Sequence, residues 1–124
     1  MTIDEFKALS SPDELPRPLQ ALWYDARGDW DRAHEMIQAS NGPAAERVHA
    51  YLHRKEGDQG NAAYWYSRVG EVKPNSSLDE EWAALVRRFS KRFRTFSWRV
   101  LSGWVRPVRL NTGAGFPLSR SAGR

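Results

Sequence analysis

His49 and His53 stand four residues apart on a stretch predicted to be helical, so their rings leave one face, with Glu46 and Glu56 one turn to either side. Imidazoles at that spacing can hold a metal ion or set up acid–base chemistry. A metal site needs at least one ligand from elsewhere, and the chain's third and last histidine is His34. The metal or acid–base reading therefore requires His34, His49 and His53 to converge. HExxH is absent, and the lone ExxH at Glu46 and His49 lacks the second copy that a di-metal bundle uses. The competing reading is structural: the rings pack between helices and their nitrogens are satisfied by carbonyls or carboxylates.

A second constellation is Arg54, Asn61 and Arg68 with Tyr64 and Tyr66, which can line a groove for a carboxylate because Arg donates two parallel hydrogen bonds. Its structural alternative pairs Arg54 with Asp58 or Asp25 and leaves the tyrosines filling gaps. A third interleaves Arg87, Arg88, Lys91, Arg92, Arg94 and Arg99 with Phe89, Phe93, Phe96, Trp98 and Trp104. Such a segment can meet an anionic membrane surface or nucleic acid, or can dock its apolar stripe on the rest of the chain. The acidic run Asp79, Glu80 and Glu81 favours its own helix N-terminus and is given no further role. No nucleophile elbow, phosphate loop or dinucleotide fingerprint occurs, so no catalytic residue and no cofactor are expected.

These side chains have to be positioned by few elements. At 124 residues the chain suits one small domain. Six tryptophans, four tyrosines and five phenylalanines point to an aromatic core, since one buried aromatic covers roughly 150–250 Å². The absence of cysteine excludes disulfides and thiolate metal sites and suits a reducing, cytoplasmic setting. No signal peptide or bilayer-spanning run is expected. All 15 acidic residues fall within residues 1–81, beside 9 of the 19 basic ones, and the other ten basic residues follow in 82–124. An acidic body thus precedes a cationic C-terminal third.

An N-terminal arm, 1–17, holds a short helix after a Thr2/Glu5 capping box. Leu19, Leu22, Trp23 and Ala26 predict one face of a helix that stops at Gly28. Asp29 caps the next, with Trp30, Ala33, His34 and Ile37 inward until Asn41, Gly42 and Pro43. A third helix runs from Pro43 or Ala44 with Val48, Tyr51 and Leu52 inward, up to Gly57. Asn61 is expected to cap a fourth, carrying Ala62, Tyr64, Trp65 and Tyr66. After a loop through Pro74, Ser77 and Glu80 open a long amphipathic basic helix over 77–104, and a Gly-, Ser- and Arg-rich tail, 105–124, is expected to be disordered.

Residues 18–70 thus contain one turn twice: Gly28, Asp29 and then Ala33; Gly57, Asp58 and then Ala62. This resembles the second helices of tetratricopeptide repeats, where a Gly-Asp-aromatic-x-x-Ala core is followed four positions later by an aromatic or aliphatic residue. Gly28, Asp29, Trp30, Ala33 and Ile37 match in one copy and Gly57, Asp58, Ala62 and Tyr66 in the other. Tyr24 stands near the family's first-helix aromatic, and His53 holds that place in the next unit. The copies run from Gly28 to Gly57, 29 residues, against about 34 in the family. The stretches Gly28–His34 and His49–Asp58 are also similar to parts of small bacterial proteins of no assigned activity. The resemblance implies an all-α fold of two short tandem helix hairpins closed by the C-terminal amphipathic helix. It further implies a non-enzymatic module that binds a protein or peptide.

Overall fold

The computed structural model describes the backbone of residues 1–102 and the side chains of residues 1–91, and every regular element among them is helical. They are α1 (Ile3–Ala8), α2 (Arg17–Ala26), α3 (Trp30–Gln38), α4 (Pro43–Glu56), α5 (Gln59–Arg68) and α6 (Leu78–Ser102). The chain divides into two compact units, Met1–Phe93 and Arg94–Arg124. The expected tail, 105–124, lies outside the described residues.

Local chemistry accounts for the boundaries. The Thr2 hydroxyl accepts the Glu5 N–H at 3.0 Å while the Glu5 carboxylate accepts the Thr2 N–H at 2.7 Å, a reciprocal cap on α1. Gly28 and Gly57 take φ of +82° and +92°, the left-handed backbone that ends α2 and α4 with the least steric cost in a glycine. Asp29 then accepts the Arg32 N–H, and Asp58 the Asn61 N–H, each at 3.1 Å. The cap of α5 is therefore Asp58, immediately before the helix and three residues before Asn61, and not Asn61 itself. Asn61 is a first-turn residue whose N–H is the one being capped.

α4 lies at the centre, packed against α2, α3 and α5, while α2 also packs on α3 and α1. Eight of its side chains are buried, from Ala45 through Val48, Tyr51 and Leu52 to His53. Ala33 and Ala62 are 0% and 1% exposed, small residues where neighbouring helices approach closely. On α2 the buried face includes Ala21 and Asp25 as well as Leu19, Leu22 and Trp23, and Ala26 is exposed. The start of α6 joins the same core: the Trp82 indole donates to the Leu22 carbonyl at 3.0 Å and meets the Phe6 ring edge-on at 5.8 Å.

Candidate functional site

His34 leaves α3 one turn after Trp30, and His49 and His53 leave α4 one turn apart on the face turned to α3. All three rings meet. The centroids are 4.7 to 4.9 Å apart, and one ring nitrogen from each residue lies within 4.8 Å of the other two. The Nε2 atoms of His34 and His49 are 3.1 Å apart. His49 and His53 are buried, and His34 is half-buried.

Two tryptophans wall the cluster. Trp30 stacks on His34 at 4.8 Å, its indole N–H anchored on the Leu52 carbonyl at 2.8 Å. Trp65 of α5 stacks on His49 at 4.0 Å and 16°. The His53 Nδ1–H donates to the Glu56 carboxylate at 2.7 Å, a bond that fixes the proton on Nδ1 and leaves Nε2 as the nitrogen able to carry a lone pair. Among the described residues these are the ring-nitrogen hydrogen bonds of the cluster: one between two members, one to Glu56.

Burial pushes His49 down to about 4, with further lowering by charge on His53 and His34. Burial and then His53 lower His34, against smaller raising effects of Glu56 and Asp31. Both rings are therefore neutral at neutral pH, with lone pairs available. Beside them a cavity of about 380 Å³ is walled by Ile37, Ala45, His49, Trp65 and Arg68.

The other constellations are not assembled in this way. Arg54 is withdrawn from the carboxylate groove: it donates to Glu81 and to the Ser76 carbonyl, each at 2.7 Å, and pairs with neither Asp58 nor Asp25. Lys55 takes Asp25 instead, at 2.9 Å, and Tyr51 donates to the same carboxylate at 2.7 Å. Asn61 turns toward Asp58, while Arg68 binds Glu46 at 2.9 Å and lies over the rings of Tyr64 and Trp65. Tyr64 and Arg68 thus remain together on the exposed face of α5, and Arg54 does not join them. Of the basic set, Arg87 and Lys91 are exposed and Arg88 pairs with Glu71 at 2.8 Å; the side chains of Arg92, Arg94 and Arg99 lie outside the described residues.

Glu81 has a role that its place in an acidic run conceals. It is buried, with Arg54 and Arg47 at 2.7 and 2.8 Å and the Tyr66 hydroxyl donating at 2.6 Å. The only sequence signal for this was its position on the inward face of α6, next to Trp82. A second cavity, about 370 Å³ and largely apolar, runs along α5 between Ala62, Ala63, Tyr66, Val72 and Lys73. Val72 there is 84% exposed.

No family model, curated protein or solved structure matches this chain.

Proposed function

We propose that this chain is a small non-enzymatic interaction module, built as two shortened tetratricopeptide-like hairpins, α2 with α3 and α4 with α5, and closed by α6. The reading is carried by the repeated Gly-Asp turn, with Ala33 and Ala62 buried at equivalent places behind it. It suits a protein or peptide partner held in the apolar cleft along α5, where Val72 stands out into solvent, 84% exposed. A cytoplasmic setting fits the lack of cysteine.

A photo-crosslinking residue placed at Ala63 or Val72 tests this, with Asp13 as an exposed control remote from the cleft in sequence. The reading expects a protein captured from the cleft positions and absent from the control. Identical captures at all three positions would remove the support for a specific cleft.

The second reading is a cationic surface that meets anionic lipid or nucleic acid. It is favoured by ten basic and no acidic residues after residue 81, with Arg87 and Lys91 exposed on α6. Among the described residues no helix is long and apolar enough to cross a membrane, so a lipid role on this reading is peripheral. Binding that persists after removal of 87–124, or that ignores salt, would exclude it.

A further inference from the structure

We propose that His34, His49 and His53 form a site for one divalent late transition-metal ion, held by three imidazole nitrogens with a further coordination position left to water or to a ligand from the adjoining cavity. This goes beyond the interaction reading and does not depend on it.

Geometry comes first. Two nitrogens each about 2.0–2.1 Å from a tetrahedral zinc ion lie roughly 3.3–3.4 Å apart. The His34 and His49 Nε2 atoms are already at 3.1 Å, and one ring nitrogen of His53 lies within 4.8 Å of a ring nitrogen of each, so an ion drawing the three together completes the set. The ligands come from two helices, so the arrangement exists only in the folded chain. Metal sites of this kind use an outer carboxylate that accepts the non-ligating ring N–H and fixes the tautomer. Glu56 does this for His53 at 2.7 Å.

The three imidazoles, walled by Trp30 and Trp65, share a single hydrogen bond among themselves, 3.1 Å, and one to a carboxylate. One cation would draw on a lone pair from each of the three rings at once. Stacking on the two indoles and between His49 and His53 limits ring rotation, so little freedom remains to be lost on binding. The donor set selects the ion: all-imidazole ligands favour Zn²⁺, Co²⁺, Ni²⁺ or Cu²⁺ over Mg²⁺ or Ca²⁺, which prefer oxygen. The cavity beside His49 supplies a path for entry. The neighbouring trio of His53, Glu56 and Asp58 makes no second site, because both carboxylates are exposed and Asp58 is spent capping α5.

The chain contains only these three histidines, so imidazole-dependent binding to it reports this cluster alone. The experiment uses the full chain without a histidine tag, stripped with chelator and titrated with Co²⁺ and then Zn²⁺. Expected are the visible bands of low-symmetry four-coordinate cobalt saturating at one ion per chain, displacement by Zn²⁺, and simultaneous Zn²⁺-induced shifts of all three imidazole NMR signals. H34Q, H49Q and H53Q should each weaken binding more than ~10-fold, and E56Q by roughly 10- to 100-fold while keeping the one-to-one ratio. The E56Q effect separates ligation from packing, since a merely structural contact would not alter metal affinity. The NMR measurement on the unsubstituted chain stands even if a histidine variant fails to fold. Absence of stoichiometric Co²⁺ and Zn²⁺ binding, or imidazole signals that do not move together, overturns the proposal and leaves the α5 cleft to its own crosslinking test.

Discussion

His34 on α3 and His49 on α4 face each other with their Nε2 atoms 3.1 Å apart, although fifteen residues and a Gly-Pro turn separate them in the chain. Two nitrogens at that distance share one proton or one cation, and a second proton between them is repelled. The low value of about 4 for His49 reflects its burial first and then its neighbours.

That shift fixes the sign of a pH effect in the metal-free protein. The unfolded chain binds a proton at His49 near 6.5 and the folded chain only near 4, so the contribution to stability is complete above pH 6.5 and is lost as pH falls from there toward 4. Chelator-treated protein should lose roughly 1–2 kcal/mol between pH 7.5 and pH 5, read as a lower urea midpoint. H49Q should flatten the dependence. An unsubstituted protein whose midpoint is level across this window would contradict the burial argument.

Adjacent carboxylates on α6 should behave very differently. Glu81 holds Arg47, Arg54 and Tyr66 in the interior, so E81Q removes the carboxylate partner of Arg54 and leaves Arg47 with Glu71 alone, and should cost about 3–5 kcal/mol. Glu80 is exposed and caps the helix with Ser77, so E80Q should cost no more than about 1 kcal/mol. Chemical denaturation of both variants gives the comparison directly. Equal losses would mean that the buried network is not what holds α6 in place.

Ala62 and Ala63 make a similar pair on α5. Ala62 is buried against Ala50 and Tyr66 with Trp65 alongside, and Ala63 is exposed. A62L should destabilise by about 1–3 kcal/mol through overpacking. A63L should stay within about 0.5 kcal/mol of the parent. Thermal unfolding followed by circular dichroism distinguishes the two.

At Gly57 the cost of a side chain is conformational alone, because nothing lies within 4 Å of an added Cβ while φ is +92°. G57A should cost about 1–2 kcal/mol, and G57N less, since Asn tolerates the left-handed region better. The midpoint of urea unfolding orders the three proteins. A neutral G57A would show that the turn relaxes out of the left-handed form.

Much of the local structure was legible before any coordinates. The capping boxes at Thr2/Glu5 and Ser77/Glu80, the stops at Gly28 and Gly57 and the inward Ala33 and Ala62 all follow from short-range rules, because a cap or a left-handed turn is satisfied within four residues. The misplaced α5 cap is a three-residue boundary error between Asp58 and Asn61, both good capping residues.

What the sequence determined by itself was an all-helical chain with one turn used twice, an acidic body and a basic end, because periodicity, caps and charge are properties of neighbours along the chain. Tertiary structure alone decided which charged groups share a partner and which rings share a space. Arg54 could reach several carboxylates, and only the approach of α6 gave it Glu81 and left Asp25 to Lys55. His49 and His53 share a face by helical geometry, but His34 joins them only through the packing of α3 on α4, a distance that no spacing along the chain encodes.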